Sequence, residues 1–190
     1  MKSVIKKEVR VMGIDDAPFT KGSRRDTMIL GTIFRGGQFM DGIVSTKARV
    51  DGNNATKKII EMVNRTKFKP QLQALILDGI AVGGFNVIDV ERLNKTTGIG
   101  VIVVMRNYPD FKKIHRALRK LKMEKKIGLL EKAGEVRREG KIHFQVKGMH
   151  PDTARLILRT VTTRAYVPEP IRVAHLICSG VVDGESRGRA

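Results

Sequence analysis

At 190 residues, with 41% apolar and 29% charged side chains, the chain has the composition of a globular protein and can bury one full core. Thirty-seven Lys and Arg against nineteen Asp and Glu leave a net charge of +18. That excess favours a polyanionic partner, because each phosphate neutralised by a basic side chain releases a condensed counterion. A basic, ion-pair-rich thermophile surface or anionic lipid is the competing account of the same charge.

No apolar run approaches the roughly 20 residues of a membrane span. The first residues, Met1-Lys2-Ser3-Val4-Ile5-Lys6-Lys7-Glu8, carry charge without a following apolar stretch, so no secretory signal is read and a cytoplasmic address is expected. Cys178 is the single cysteine; it excludes an internal disulfide and supplies no cysteine metal cluster. With no repeat, low-complexity tract or linker-like stretch, one domain spanning 1–190 is the expected organisation.

Three extended segments come first, at 9–14, 27–34 and 43–50. The third alternates, with Val44, Thr46, Ala48 and Val50 on one face and Ser45, Lys47 and Arg49 on the other, the period of a half-exposed antiparallel strand. Arg35-Gly36-Gly37 marks a turn between the second and third, and short connections predict a meander. After Asp51-Gly52, Ile59, Ile60, Met62 and Val63 recur at helical spacing over 55–65, with Asn53 or Asn54 placed to cap.

Residues 72–77 form a continuous apolar run ending in Asp78-Gly79, as in a buried parallel strand. A helix over 87–94, stopped by Gly98, and a second buried strand over 100–105 complete a βαβ unit. A basic amphipathic helix follows over 110–126, with Phe111, Ile114, Leu118 and Leu121 as its apolar stripe. Lys112, Lys113, Arg116, Arg119 and Lys120 line its other side and are placed to grip a nucleic-acid backbone. A strand over 142–146 pairs back across Glu139-Gly140, and helices over 151–163 and 168–179 close the chain before a polar tail over 184–190 that is expected to fray. The fold class is therefore α/β. Three antiparallel strands followed by two parallel strands, flanked by helices, is the order of a ribonuclease H-like mixed sheet, an order other α/β folds share.

Two strands end in acid: Asp15, followed by Asp16, and Asp78. If those strands are neighbours, the two carboxylates converge, and their repulsion raises a pKa or recruits a cation. Magnesium suits such a pair, since it takes one or two carboxylates and keeps several waters. Each aspartate also has a plain reading. Asp78-Gly79 is one of four Asp-Gly pairs in the chain, and by itself is better read as a turn.

Gly13-Ile14-Asp15 resembles the first motif of endonuclease V, and Leu77-Asp78-Gly79 with Thr97-Gly98-Ile99-Gly100-Val101 resembles its next acidic motif and following strand. Gly148-Met149-His150-Pro151-Asp152-Thr153-Ala154 is similar to its Gly-His helix start with one residue inserted, and Tyr166-Val167-Pro168-Glu169-Pro170-Ile171-Arg172-Val173-Ala174-His175 to its terminal Pro-Glu-Pro helix. More narrowly, the chain resembles an archaeal family related to endonuclease V. The likeness runs over about 9–177.

It implies a Mg²⁺- or Mn²⁺-dependent endonuclease acting on DNA or RNA, with Asp15 and Asp78 as metal ligands and His150 at the active-site edge. A histidine opening a helix also simply bonds to local backbone, and His175, on an apolar helix face, reads as packed and hydrogen-bonded. The family's tyrosine-proline wedge and catalytic glutamate are absent; Val50-Asp51-Gly52-Asn53-Asn54 stands in their place, with Asp51 as the substitute acid or a helix cap. Its His-Pro-Arg-Arg stretch is replaced by Ala81-Val82-Gly83-Gly84-Phe85-Asn86, where Gly83 and Gly84 permit close approach of a ligand or form an ordinary turn. These departures leave a second expectation, a nucleic-acid-binding protein that keeps the fold with weakened or lost catalysis.

Overall fold

The computed structural model describes residues 7–23 and 25–186. Strands β1 (Arg10–Asp16), β2 (Asp26–Arg35) and β3 (Phe39–Arg49) form an antiparallel meander. Backbone pairing carries β1 two residues beyond its expected end, so that Asp15 lies opposite Leu30 and Asp16 opposite Ile29. Next come α1 (Ala55–Arg65), β4 (Ala74–Asp78), the two-residue strands β5 (Ala81–Val82) and β6 (Asn86–Val87), α2 (Val90–Thr97) and β7 (Gly100–Met105). The chain continues through α3 (Phe111–Lys120), α4 (Ile127–Lys132), β8 (Arg137–Glu139), β9 (Ile142–Lys147), α5 (Pro151–Val161) and α6 (Glu169–Asp183).

One seven-stranded sheet runs in the order β3-β2-β1-β4-β7-β9-β8. Strand β4 is parallel to both β1 and β7, whereas β9 returns antiparallel beside β7. Alternation along the central strands feeds two cores. Met12, Ile14, Leu75, Leu77, Val101 and Val103 pack with Ile59, Met62 and Leu93 of α1 and α2. Val11, Ala74, Ile76, Ile102 and Val104 pack on the opposite side with Ile157, Leu158, Val161 and Ile171 of α5 and α6. A continuous apolar run in a central strand is thus explained by burial on both faces.

Two local expectations need correction first. Asn54 makes no side-chain cap on α1; its Oδ1 accepts from Arg49 N and Asn86 Nδ2 instead. Asn86, remote in sequence, takes over by accepting from Ala55 N at 3.1 Å. The helix expected from 87 starts at Val90, because Val87 pairs with Ala81 and Asp89 caps the helix by accepting from Arg92 N at 2.9 Å.

The basic helix stops at Lys120 and leaves Leu121 48% exposed. The chain there turns through Lys122, at φ 56°, into a 3₁₀ turn that buries Lys126. Lys126 Nζ donates to the carbonyls of Asp51 (3.2 Å), Gly52 (2.7 Å) and Phe85 (2.6 Å), contacts a straight helix could not make. Helix α6 outlasts its expected end and closes on Gly184 at φ 76°; positions 187–190 of the tail expected to fray lie outside the described residues. Among the described residues no helix is long and apolar enough to cross a membrane.

Candidate active site

The parallel register of β1 and β4 ends at Ile14 opposite Leu77, so Asp15 and Asp78 follow side by side at the carboxyl ends of adjacent strands. Side chains alternate between faces. Val11, Gly13 and Asp15 therefore share the α6 side with Ala74, Ile76 and Asp78, and with Ile102, Val104 and Arg106 on β7 and its exit. Three charged residues continue three apolar stripes past the edge of the sheet. Asp16, one residue on, faces the other way.

Helix α6 lies close over this edge because Gly13 has no side chain. A Cβ there would stand 2.3 Å from the carbonyl carbon of Pro170 and 2.6 Å from Ile171 N. Thr32, opposite Gly13, fixes the same point by donating from Oγ1 to Pro170 O at 2.6 Å. One turn further along α6, His175 Nδ1 meets Asp15 Oδ2 at 3.1 Å. The other carboxylate oxygen, Oδ1, accepts from Asp16 N at 2.8 Å.

Asp78 is held by Arg106, whose Nη1 donates to Oδ1 and Oδ2 at 3.2 Å each. Asp16 turns to the β5–β6 hairpin and accepts from Gly83 N at 2.8 Å. Asp15, Asp16, Ala17, Pro18, Phe19, Asp78, Arg106 and His175 line a cavity of about 340 Å³.

Electrostatics marks this corner as unusual. Burial, and then the charge of Asp15, push both Asp16 and Asp78 up to about 6, despite the opposing pull of Arg106 on Asp78. The hydrogen bond to Asp15 raises His175 above the ordinary histidine range. Cys178, one turn beyond His175, is pushed up to about 12 by burial and by Asp15 and Asp16, which leaves its thiol protonated and inert. Hollows of about 770 and 390 Å³ occur elsewhere, but their acids sit in closed ion pairs, Glu169 with Arg172 and Glu139 with Arg159. Only like charges gathered together create demand for a cation.

The donor set fits magnesium or manganese in one limited sense. Two adjacent carboxylates suit a hard ion that keeps much of its water. Among the described residues, no group of three or more His, Cys, Asp or Glu forms a metal cage, so water and substrate oxygens would complete any coordination.

Other expected site residues are placed differently. His150 is the N-cap of α5, its Nδ1 accepting from Asp152 N at 3.3 Å, with a side chain 72% exposed. It follows β9, whose Lys147 pairs with Val101 at the start of β7. That is the opposite end of the sheet from Asp78, so His150 stands apart from Asp15 and Asp78. Asp51 also stays outside the cavity. At φ 56° it donates from its backbone N to Gly83 O at 2.7 Å and accepts from Phe85 N at 2.8 Å through Oδ1. It acts on the hairpin.

That arrangement also corrects the reading of Gly83 and Gly84 as a ligand approach. Both have positive φ, and a Cβ on Gly84 would lie 2.4 Å from Asp51 Oδ1. The space opened by glycine is filled by a carboxylate of the chain itself. Lys112, Lys113, Arg116, Arg119 and Lys120 are all exposed on α3. The opposite side of α3 packs Leu118 and Ile114 with Val87, Ile80 and Phe85 of the hairpin after Asp78.

Sequence reasoning did not single out Arg106, and it read His175 as packed and hydrogen-bonded, which its contact with Asp15 bears out. Arg106 continues the i, i+2 stripe of Ile102 and Val104, the same signal that singled out the aspartates. His175 stands four residues after Ile171, on the helix face that meets β1.

The comparisons agree with this architecture. A UPF0215 protein from Methanothermobacter thermautotrophicus is 48% identical, over 98% of this chain and 94% of that one. A solved structure of a protein of unknown function from Archaeoglobus fulgidus is 37% identical with a TM-score of 0.85, covering 91% of this chain and 98% of its own. Endonuclease V from Ciona intestinalis, crystallised with a 24mer DNA containing an inosine followed by a ribo-adenosine, is 15% identical with a TM-score of 0.55, covering 87% of this chain and 82% of its own; at that identity the likeness is one of fold. The family model described as endonuclease dU matches residues 7–182, and the chain belongs to that family.

Proposed function

We propose that this protein is a metal-dependent endonuclease, a ribonuclease H-like domain over 1–190 that hydrolyses phosphodiester bonds of DNA or RNA at the corner formed by Asp15, Asp78, Arg106 and His175. The observation that carries the reading is the convergence of Asp15 and Asp78 on one face of adjacent parallel strand ends, with the pKa of Asp78 raised to about 6 by burial and by Asp15. Ligands of open α/β sheets collect outside the carboxyl ends of the strands. Membership of a family named for endonuclease activity and a net charge of +18 support the same substrate class.

Asp15 and Asp78 would hold Mg²⁺ or Mn²⁺, which supplies an activated water and neutralises charge on the leaving oxygen. Asp15 orients the His175 ring through Nδ1 and favours its protonated form, so His175 is suited to hold a proton near the leaving oxygen. Asp16, Asp51 and Lys126 fix the hairpin on the far side of the sheet edge. The exposed cations of α3 neutralise backbone phosphates beyond the cut.

The test is cleavage of labelled single- and double-stranded DNA and RNA with Mg²⁺ or Mn²⁺. Cutting by the native protein and its loss in Asp78→Asn supports the reading; no metal-dependent cutting across the panel removes it. A second reading, nucleic-acid binding with weakened catalysis, is favoured by one observation, the engagement of Asp51 with Phe85 N instead of the cavity. It requires affinity that falls steeply with salt in a protein that does not cut.

A further inference from the structure

Three aromatic side chains stand largely in solvent among the described residues: Phe39 (54% exposed), Tyr108 (63%) and Tyr166 (44%). Their places differ. Phe39 pairs with Arg35 at the end of the sheet remote from Asp15, and the Arg35 guanidinium lies over its ring at 5.6 Å. Tyr166 lines a hollow with Ile142 and Leu158, beside β8, the outermost strand. Tyr108 alone of the three follows a strand that ends at the acidic corner.

The chain brings Tyr108 there by a short and stiff route. Val104 lies beside Asp78, and Arg106 bonds to Asp78 and lines the acidic cavity. Tyr108 comes two residues later, which keeps its Cα within about 7 Å of that of Arg106. Pro109 follows and confines the tyrosine backbone to extended conformations. The ring rests on His143, which sits opposite Met105 on β9, with centroids 5.5 Å apart and planes at 86°. A T-shaped contact of this kind anchors the tyrosine and covers at most one of its faces. A flat ring, held in place and open to solvent, therefore stands beside the cavity.

The partner that fits such a ring is set by the charge around it. A net charge of +18, with Lys112 and Lys113 exposed just beyond Tyr108, favours a polyanion. Nucleic acid is the polyanion that also carries flat rings, and every base has a face to offer. In a duplex those faces already cover one another, so the base has to be unpaired.

We propose that Tyr108 is a stacking platform for one unpaired nucleobase of a strand bound at the acidic corner. This deepens the nuclease reading and rests on it for the position of the strand. Tyr108 is then a binding residue that favours unpaired strands close to the point of cutting, and it moves no proton.

The experiment compares two short probes of equal length, oligodeoxyadenylate and a strand with every base removed, with EDTA present so that nothing is cut. Both carry the same phosphates, so their affinities differ through the bases alone. The chain has two tyrosines and no tryptophan, which makes the emission of Tyr166→Phe that of Tyr108. Bound oligodeoxyadenylate is expected to quench it, and the bound abasic strand to leave it unchanged. By fluorescence anisotropy of labelled probes, the native protein is expected to prefer oligodeoxyadenylate about tenfold. Tyr108→Ala should lose that preference while keeping its affinity for the abasic strand and its salt slope. Tyr108→Phe should retain the preference, because the ring remains.

Unchanged emission on saturation with oligodeoxyadenylate overturns the proposal, as does a base preference that survives in Tyr108→Ala. The emission is read on a protein that keeps Tyr108, so the test stands even if Tyr108→Ala fails to fold. Both measurements report binding alone. Base-dependent quenching in a protein that never cuts leaves the platform standing and removes the nuclease reading, and cutting without quenching does the reverse.

Discussion

Replacing Gly13 by alanine tests the contact that brings His175 to Asp15. The added Cβ would lie 2.3 Å from Pro170 C, 2.5 Å from Pro170 Cβ and 2.6 Å from Ile171 N. Restoring an ordinary contact of 3.4 Å requires about 1 Å of movement of α6 away from β1. The obstructing atoms are backbone and a proline ring, so no flexible tip can turn aside, and Thr32 resists by its 2.6 Å bond to Pro170 O. Overpacking of this kind costs about 1–3 kcal/mol, which for a chain of this size lowers Tm by about 2–12 °C.

The same movement stretches the 3.1 Å contact of His175 with Asp15 toward about 4 Å, beyond hydrogen bonding. Since that bond is the first cause of the raised His175 pKa, the value should fall toward the ordinary 6.5. Thermal unfolding gives the first quantity, and NMR titration of the His175 ring gives the second. A variant with native Tm and an unchanged His175 titration would refute the claim that Gly13 sets the seat of α6.

Three further substitutions bear on the rest of the corner. Asp16→Asn should stabilise the metal-free protein above pH 6: the folded pKa of about 6 lies above the ordinary 3.8, so ionisation opposes folding fully above the folded value and not at all below the unfolded one. The gain is about 1–3 kcal/mol, read by urea unfolding at alkaline and acid pH, and equal gains at both would contradict it. Asn86→Ala removes the acceptor of Ala55 N and the donor to Arg49 O and Asn54 Oδ1; a loss of about 2–4 kcal/mol is expected, with Asn86→Asp intermediate, and near-native urea unfolding would count against Asn86 as the cap of α1. Glu139, lowered by its hydrogen bond with Arg159 and by Arg155, stabilises the fold above the ordinary 4.5 and loses that contribution as pH falls through its lower folded value. Glu139→Gln should therefore lower Tm at neutral pH and flatten its acid dependence, and parallel curves for variant and native protein would show that the pair contributes nothing.

The sheet was legible where pattern and burial coincide. The runs ending at Asp15 and Asp78 are apolar on both faces because both sides of the sheet are covered, and their parallel pairing follows from two hairpin reversals and the crossover through α1 between them. The same run of alternation hid Arg106, since a lone arginine after Met105 reads as solvent-facing until β7 is seated beside β4. His175 was visible as a helix-face residue, but its partner lies 160 positions away, and no local pattern reports such a distance. His150 misled for the converse reason. A Gly-His helix start has a complete local explanation in the bond from Asp152 N, and the antiparallel return of β9 carries it to the far end of the sheet.

The two faces of the strand end divide the labour. Odd and even positions alternate, so Asp15 turns toward α6 and Asp16 toward the hairpin, where Gly83 N ties it into a frame completed by Asp51 and Lys126. A purely structural corner would resolve its charges in pairs, as Glu169 and Glu139 do with their arginines. Here two acids remain at pKa values near 6 beside a third, with one arginine only half engaged. Folding gains nothing from that repulsion, whereas the cation binding proposed above would relieve it. Residues whose environment opposes their own charged state are therefore the strongest physical sign that this edge of the sheet is kept for chemistry.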